Sequence, residues 1–415
     1  MLEQKIKKKL VALVALGSFM EWAEFSFYAY MINTIARLFF PMDTDTRIAT
    51  VKAFALFSLS YFVRPIGAIF FGHLGDRLGR KPALILAMLL MSVATLCIGL
   101  LPTYSQIGIL APSLLLFFRI LQSLSLSGEY NGAAIYLIEH FPENKRCFAG
   151  SLVSSSAAFG LVFGAVVGAI INIPSMPEWA WRVPFIVSGL SCFLLYYLRN
   201  NFNETAVFKK IKENKKVLKT PLKHIVHKQR PQIIYIIAIS AIIGAYFYVN
   251  NAFFKTYLIN TVKVEPLIAG TVVILGQLLA AIFIPVVGYY SDKTNYLKLF
   301  KFGILICSLS SPIIFYLGSK GTIANLIFAE LIYALAGSLS CGALMNIMFE
   351  RFNASSRYTG NSFSWAIGAA IFSGTSPTIV GLLGLIDNRL SGLYLLVLGS
   401  LCLATMQYID KKHPL

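Results

Sequence analysis

Charged side chains stand inside long apolar runs in the first half of this 415-residue chain: Glu21, Glu24, Arg64, Arg119 and Glu129. A charge in hydrocarbon costs about 2.5–3.5 kcal/mol on insertion scales, so such residues are few, are paired and tend to serve function. Glu24 lies about 14 residues into the first apolar run, roughly 21 Å at the helical rise. Arg119 lies about 12 residues into the fourth, approached from the opposite surface, so both fall near mid-membrane. This pattern suits proton coupling. A carboxylate pairs with a guanidinium, and gain of a proton releases the arginine. The alternative is a static pair that fixes helix packing. Glu129 is placed to pair with Arg64, which precedes Pro65, in either a coupling or a structural role. Glu21 is about 300° of helical turn from Glu24 and shares a broad face with it. Which of the two titrates stays open. Glu330 is a further candidate.

A second constellation is a basic turn, FFGHLGDRLGRK, at residues 70–81. Gly72 and Gly79 permit a tight turn, and Arg77, Arg80 and Lys81 are expected to hold the loop at the membrane surface. A worn copy recurs in VVGYYSDKTN, residues 286–295, where Gly288, Asp292 and Lys293 repeat Gly72, Asp76 and Arg77.

The elements that carry these residues are read from hydropathy. The chain is 57% hydrophobic and 13% charged, against about 25% charged in soluble domains. Apolar runs longer than about 18 residues recur throughout, which predicts an all-α polytopic membrane protein. Spans are expected at 10–39, 50–74, 82–101, 107–138, 148–172 and 182–199, and at 231–260, 267–290, 297–317, 322–349, 359–384 and 389–409. The first run continues past Glu21 and Glu24 with no small-residue cleavage pattern, so it reads as a retained span rather than a leader. The hydrophilic stretch between the two sets gives three expected units: a six-helix bundle at 1–199, a basic linker at 200–230 and a second six-helix bundle at 231–415. The linker runs from Lys209 to Arg230, dense in lysine, and is expected to lay an amphipathic helix on the inner leaflet, with a regulatory docking site as the alternative.

The formal charge of +18 is asymmetric, since most of the 36 Lys and Arg fall on one predicted side. That is the positive-inside pattern, and it points to lipid rather than nucleic acid as the partner. It places both termini in the cytoplasm of a multi-pass inner-membrane protein. Six scattered cysteines give no disulfide or metal spacing. His73, His140, His224, His227 and His413 lie in loops or at helix ends, and no phosphate-binding GxxxxGKS loop occurs. An enzyme is therefore not expected, nor a cofactor.

The turn at 70–81 resembles the loop between helices 2 and 3 of the major facilitator superfamily. GSFMEWAEFSFYAY (17–30), FVRPIGAIFFG (62–72), the stretch from FRILQSLSLSGEYNGA through FPENKRCFAG (118–150), WRVPF (181–185), YLRNNFNETAVF (197–208) and SRYTGNSFSWAIGAAIFSGTSP (356–377) together resemble its metabolite:H+ symporter family. The best-known branches of that family carry proline and glycine betaine, α-ketoglutarate, citrate and shikimate, and the proline/betaine branch resembles this chain most. The resemblance implies the twelve-helix, two-bundle major facilitator fold, with spans 1 and 4 packed around one cavity. It also implies a proton-coupling role for Arg119, at the arginine of an RxxQG motif in which Ser123 replaces Gly. Finally, it implies an Asp76 that meets the start of span 11, near Arg357 and Tyr358, when the cytoplasmic side is closed. The chain departs from the family pattern at Glu24 (usually Asp), Ser123 and Ser127 (Gly), Ala366 (Asn) and Lys255 (uncharged). It stops at Leu415, without the coiled-coil extension of osmosensing members, which leaves osmotic gating open.

For substrate, span 1 offers Trp22 and Tyr28, span 7 offers Tyr246, Tyr248, Asn250, Asn251 and Lys255, and span 11 offers Trp365. Aromatic faces can hold an ammonium, and Arg119 or Lys255 can hold a carboxylate. Packing and interface roles are the alternative for each aromatic. The expectation is a monomeric, proton-coupled importer of a small zwitterion or organic acid, with a proline/betaine-like osmolyte favoured. The alternatives are a facilitator or exporter of another metabolite, such as a dicarboxylate or siderophore, and a non-transporting nutrient sensor.

Overall fold

The computed structural model describes residues 2–41, 46–173, 175–386 and 390–414, and these contain helices, turns and loops but no strand. The helices are α1 (Leu2–Tyr30), α2 (Ile32–Phe39), α3 (Thr46–Arg77), α4 (Arg80–Leu100), α5 (Tyr104–Ile107), α6 (Leu110–Glu139), α7 (Arg146–Ile171), α8 (Arg182–Arg199), α9 (Ala206–Glu213) and α10 (Pro221–Lys228). They continue as α11 (Arg230–Tyr248), α12 (Lys255–Asn260), α13 (Pro266–Ser291), α14 (Tyr296–Ser319), α15 (Ile323–Cys341), α16 (Leu344–Arg351), α17 (Arg357–Gly368), α18 (Ser376–Ile386) and α19 (Leu390–Lys412). Among the described residues, 11 helical segments are long and apolar enough to cross a bilayer. α3 supplies a further long helix at the position of predicted span 2.

Several spans are broken where hydropathy predicted one rod. The first starts at Leu2, ends at Tyr30 and resumes at Ile32, because Met31 leaves helical geometry at ψ 16°. Span 7 relaxes into a π-helical turn, Val249–Phe254, between α11 and α12. Span 11 does the same at Ala369–Ser373, between α17 and α18. Such turns leave main-chain groups free of regular pairing and occur often at functional sites. Span 10 divides into α15 and α16.

The linker also differs from expectation. It forms two short helices, α9 and α10, and their apolar residues Phe208, Ile211, Pro221 and Ile225 are buried against the protein rather than offered to lipid. Thr205 caps α9 by accepting from the Phe208 N–H at 3.2 Å.

Lipid tails are as apolar as leucine, so helix association here rests on close packing and polar links. In α3, Phe62, Ile66 and Phe70 form one exposed stripe, 61%, 62% and 53% accessible, as a lipid-facing surface would. The other face of α3 presses on α6, where a Cβ on Gly67 would come 2.8 Å from the Leu124 Cα. α1 packs along α7, where Gly160, Gly164 and Gly168 receive Phe19, Ser26 and Tyr30. Helices α1 to α8 pack mainly among themselves through α1–α7, α4–α8, α4–α6 and α3–α6; α11 to α19 do so through α14–α15, α13–α15, α14–α19 and α11–α19. Two large contacts join these groups, α3 with α17 and α7 with α13. The α3–α4 turn, α9, α10 and the end of α19 lie at one end of the helices, called below the linker side.

Candidate transport site

At the linker side, Gly79 adopts φ +126°, a conformation closed to side-chain-bearing residues, and this lets α3 turn directly into α4. The turn leaves Asp76 facing the first residues of α17. Its Oδ1 accepts the Tyr358 N–H at 3.1 Å and its Oδ2 the Thr359 N–H at 2.9 Å. A carboxylate is favoured there by the positive end of the helix dipole and by unpaired N–H groups. The Tyr358 ring reaches across to α6 and donates to the Gly128 carbonyl at 2.5 Å. Gly128 and Gly132, read from spacing as a helix-approach motif, therefore seat the rings of Phe71 and Tyr358.

Arg80 corrects an expectation. It is fully buried rather than held at the membrane surface. It donates to the Gly75 and Ala354 carbonyls at 2.8 and 2.5 Å and forms ion pairs with Asp76 at 3.3 Å and Glu139 at 3.5 Å. Burial is sustained because its charge and its Nη1 and Nη2 groups find partners from α3, α6 and the segment before α17. Arg357 joins the same cluster through Glu139 at 3.3 Å. Arg77 stays outside it, against His73 at 3.1 Å. Lys81 ties the linker instead, donating to the Asn200 carbonyl at 2.8 Å. Gly72 lies against Thr359, where an added Cβ would come 2.6 Å from its Cα. Glu204 completes the tie by accepting the N–H groups of Arg80 and Lys81, each at 3.2 Å, while Thr205 donates to Glu139 at 2.5 Å.

The echo in residues 286–295 forms a matching contact. Asp292, just past α13, accepts the N–H groups of Cys147 and Phe148 at the start of α7, at 2.8 and 2.9 Å. Burial raises the Asp292 carboxyl above its ordinary range, and the two N–H donors offset part of that rise. The two joints between the helix groups, α3–α17 and α7–α13, are thus each fastened by an aspartate on a helix N-terminus.

The buried charges sort differently from what span positions suggest. Among the described residues, Glu24 makes no direct ion pair with Arg119. Its Oε1 accepts from Ser188 at 2.6 Å and Cys192 at 3.2 Å, and its Oε2 from Thr95. Thr95 accepts from Gln122 at 2.7 Å, and Gln122 accepts from Arg119 at 2.9 Å. The expected pair is therefore a relay, Glu24–Thr95–Gln122–Arg119, because neutral donors on α4 and α8 fill the carboxylate first. Arg119 also lies over the Tyr28 ring at 4.4 Å.

Nor does Glu129 pair with Arg64. It accepts from Arg199 at 2.7 Å, and Arg199 also reaches the Leu13 and Val14 carbonyls. The reason is rotational. Ser127 faces α3 and donates to the Arg64 carbonyl at 2.8 Å, so Glu129, about 200° further round α6, faces α1 and α8 instead. Arg64 turns to the rings of Tyr61 and Phe25, at 3.9 and 5.2 Å. Glu21 is fully buried, with no hydrogen bond to either carboxylate oxygen among the described residues, and it borders a small internal space shared with Glu24, Arg119 and Gln122.

A cavity of about 460 Å³ opens between the two helix groups, away from the fastened side. Trp22, Tyr248, Asn251, Lys255 and Trp365 line it, as expected from the sequence. Arg64, Tyr30, Tyr130, Phe247 and Gln277 line it too. Trp22 and Tyr130 meet edge to face at 5.4 Å, and Tyr130 and Trp365 are 6.3 Å apart. Tyr248 bonds Tyr61 across α3 and α11, and Gln277 bonds Asn251. The Lys255 ammonium lies 5.3 Å from the Tyr30 ring. Three expected substrate residues face elsewhere. Tyr28 packs behind the cavity against Arg119. Tyr246 stacks on Tyr333 at 5.2 Å. Asn250 donates to Glu330 at 3.2 Å. Consecutive helical residues point roughly 100° apart, so Asn251 lines the cavity while Asn250 meets α15.

Residues missed from the sequence were Thr95, Gln122 as a relay, Ser188, Cys192, Arg199, Glu204 and the Asp292 joint. The Asp292 joint had a signal in the Gly288-x-x-x-Asp292 echo, Gln122 stood in the RxxQG motif, and Arg199 and Glu204 lay inside the resembling stretch 197–208.

A family model described as Major Facilitator Superfamily matches residues 14–373. The proline/betaine transporter of Salmonella typhimurium is 30% identical, over 97% of this chain and 83% of its own length. The inner membrane metabolite transport protein YhjE of Escherichia coli is 30% identical, over 94% of this chain and 93% of its own. Among solved structures, the proton:xylose symporter XylE superposes with a TM-score of 0.70 at 15% identity, covering 99% of this chain and 96% of that one. The human organic anion transporter MFSD10 gives 0.73 at 14%, over 97% and 99%. Two helix groups, fastened to each other at one side and enclosing a cavity toward the other, have the same fold as these transporters. With the family match spanning most of the sequence, they show that this chain is a multi-pass membrane transporter of the major facilitator superfamily.

Proposed function

We propose that the protein imports a small zwitterion or organic acid across a bacterial inner membrane, coupled to protons, by alternating access between a bundle at 1–199 and a bundle at 231–415 joined by the linker at 200–230. The linker side is then the cytoplasmic side, in keeping with its lysine density and the positive-inside rule. The names of the relatives support a proline- or betaine-like solute, and the symporter neighbours support a proton as the coupling ion.

The observation that carries the reading is the relay from Glu24 to Arg119 beside the cavity. Protonation of Glu24 removes its claim on the Thr95 hydroxyl. Thr95 and then Gln122 are free to reorient, and Arg119 loses an acceptor, so the contacts that α1, α4, α6 and α8 share change at one stroke. A proton thereby gains different affinities in the two access states, which is the requirement for driving the exchange. Asp76 and Asp292 act as the cytoplasmic gate, held while the cavity faces outward and released when it faces inward.

The test is uptake into proteoliposomes under an imposed pH gradient. Wild type should accumulate solute when the outside is acidic. Glu24→Gln should lose accumulation but keep solute counterflow. Undiminished accumulation by Glu24→Gln would overturn the coupling assignment, and gradient-driven efflux alone would make the protein an exporter.

A further inference from the structure

We propose that the cavity selects an organic dianion, in the simplest case a dicarboxylate, with Arg64 and Lys255 each holding one acidic group. This deepens the transport reading and rests on it. Among the described residues, the lining contains two cations and no Asp or Glu. Arg64 is 4% exposed, yet its Nε and Nη2 have no hydrogen-bond partner among the described residues. Neither Arg64 nor Lys255 forms a salt bridge among them, while the buried Glu21 acts on Arg64 at longer range. A buried guanidinium with unpartnered N–H groups is a costly arrangement, and the planar fork of a guanidinium that lines a cavity matches a carboxylate.

The two cations come from opposite helix groups, Arg64 from α3 and Lys255 from the first turn of α12 after the π-helical turn. A dianion would bridge the groups and offset both charges. A betaine or proline would satisfy Arg64 with its carboxylate but bring its ammonium into a cavity that already holds Lys255 and offers no acid. The rings of Trp22, Tyr130 and Trp365 then contact the carbon skeleton rather than caging a cation.

The test uses the full chain in detergent, with intrinsic tryptophan fluorescence as the readout because Trp22 and Trp365 line the cavity. Succinate, 2-oxoglutarate, butyrate, proline and glycine betaine are titrated. Succinate or 2-oxoglutarate should bind at least about tenfold more tightly than proline or betaine, the scale of one added charge-assisted contact. Lys255→Gln should weaken dicarboxylates by about tenfold or more and leave butyrate unchanged, while Lys255→Arg restores them. Tighter binding of proline or betaine, equal effects of Lys255→Gln on succinate and butyrate, or no dicarboxylate binding would each overturn the inference. Arms for counterflow separate it from the transport reading. Betaine counterflow without succinate binding overturns the dianion inference alone. Succinate binding without counterflow of any solute overturns transport alone.

Discussion

Replacing Asp76 by Asn should loosen the linker side measurably. The carboxylate accepts two backbone N–H groups, at 3.1 and 2.9 Å, and neutralises Arg80 at 3.3 Å. Asn keeps one oxygen acceptor and turns an NH2 donor toward the other N–H. A hydrogen bond to a charged group contributes about 1.5–3 kcal/mol, so losing one and weakening the other comes to about 3 kcal/mol. Arg80 retains Glu139 but loses half of its neutralisation, which works in the same direction. At about 1.4 kcal/mol per decade, the closed-to-open equilibrium moves by about two decades. Cys147 is a native reporter: it is 1% exposed at the start of α7, inside the second joint. Its maleimide labelling, followed by peptide mass spectrometry, should accelerate by about a hundredfold, because labelling tracks the open population while opening is rare. A rate unchanged within about twofold, in a variant that melts like wild type, would refute the view that Asp76 fastens the halves.

Asp292→Asn should accelerate Cys147 labelling to a similar degree, and the two substitutions should add in free energy if both joints open in one transition. Arg199→Met strips Glu129 of its cation and should cost about 3–5 kcal/mol, read as a lower melting temperature in detergent, with Glu129→Leu added in the same chain restoring much of it. Gly79→Ala should cost about 1–2 kcal/mol from the φ of +126° alone, and more from contact with Glu204, again read from the melting temperature. Thr95→Val removes the central hydroxyl of the relay and should impair proton-driven accumulation while sparing solute counterflow in proteoliposomes.

The spans were legible because an uninterrupted apolar run of bilayer length fits poorly in any setting but a bilayer. Their interruptions were not. Met31 is an ordinary helix residue, a π-helical turn leaves no mark in composition, and which of Asn250 and Asn251 meets the cavity could be seen only in three dimensions. Among charges, the sequence located those that needed partners but not the partners. Arg199 sits at a span end where the positive-inside pattern already accounts for it, and the same pattern masked the burial of Arg80. The donors to Glu24 are a serine, a threonine and a cysteine, residues too common in apolar helices to stand out. The family resemblance pointed Asp76 toward the start of α17, where its carboxylate lies, while the weaker echo at Asp292 gained meaning only when α13 was found against α7.

The linker has a mechanical consequence. Its first part is bound to α4 and α6 through Glu204, Thr205 and Phe208, and α10 rests on α11, α17 and the neighbouring α3, with Ser356 donating to Gln229 at 2.9 Å. The seven residues 214–220 join α9 to α10, and the first three of them bond back to α9 carbonyls. Seven residues drawn straight reach roughly 25 Å. The linker is thus a short leash: it sets a ceiling on how wide the mouth on the linker side can gape, and shortening it should trap the carrier before that mouth is wide enough to let its cargo go.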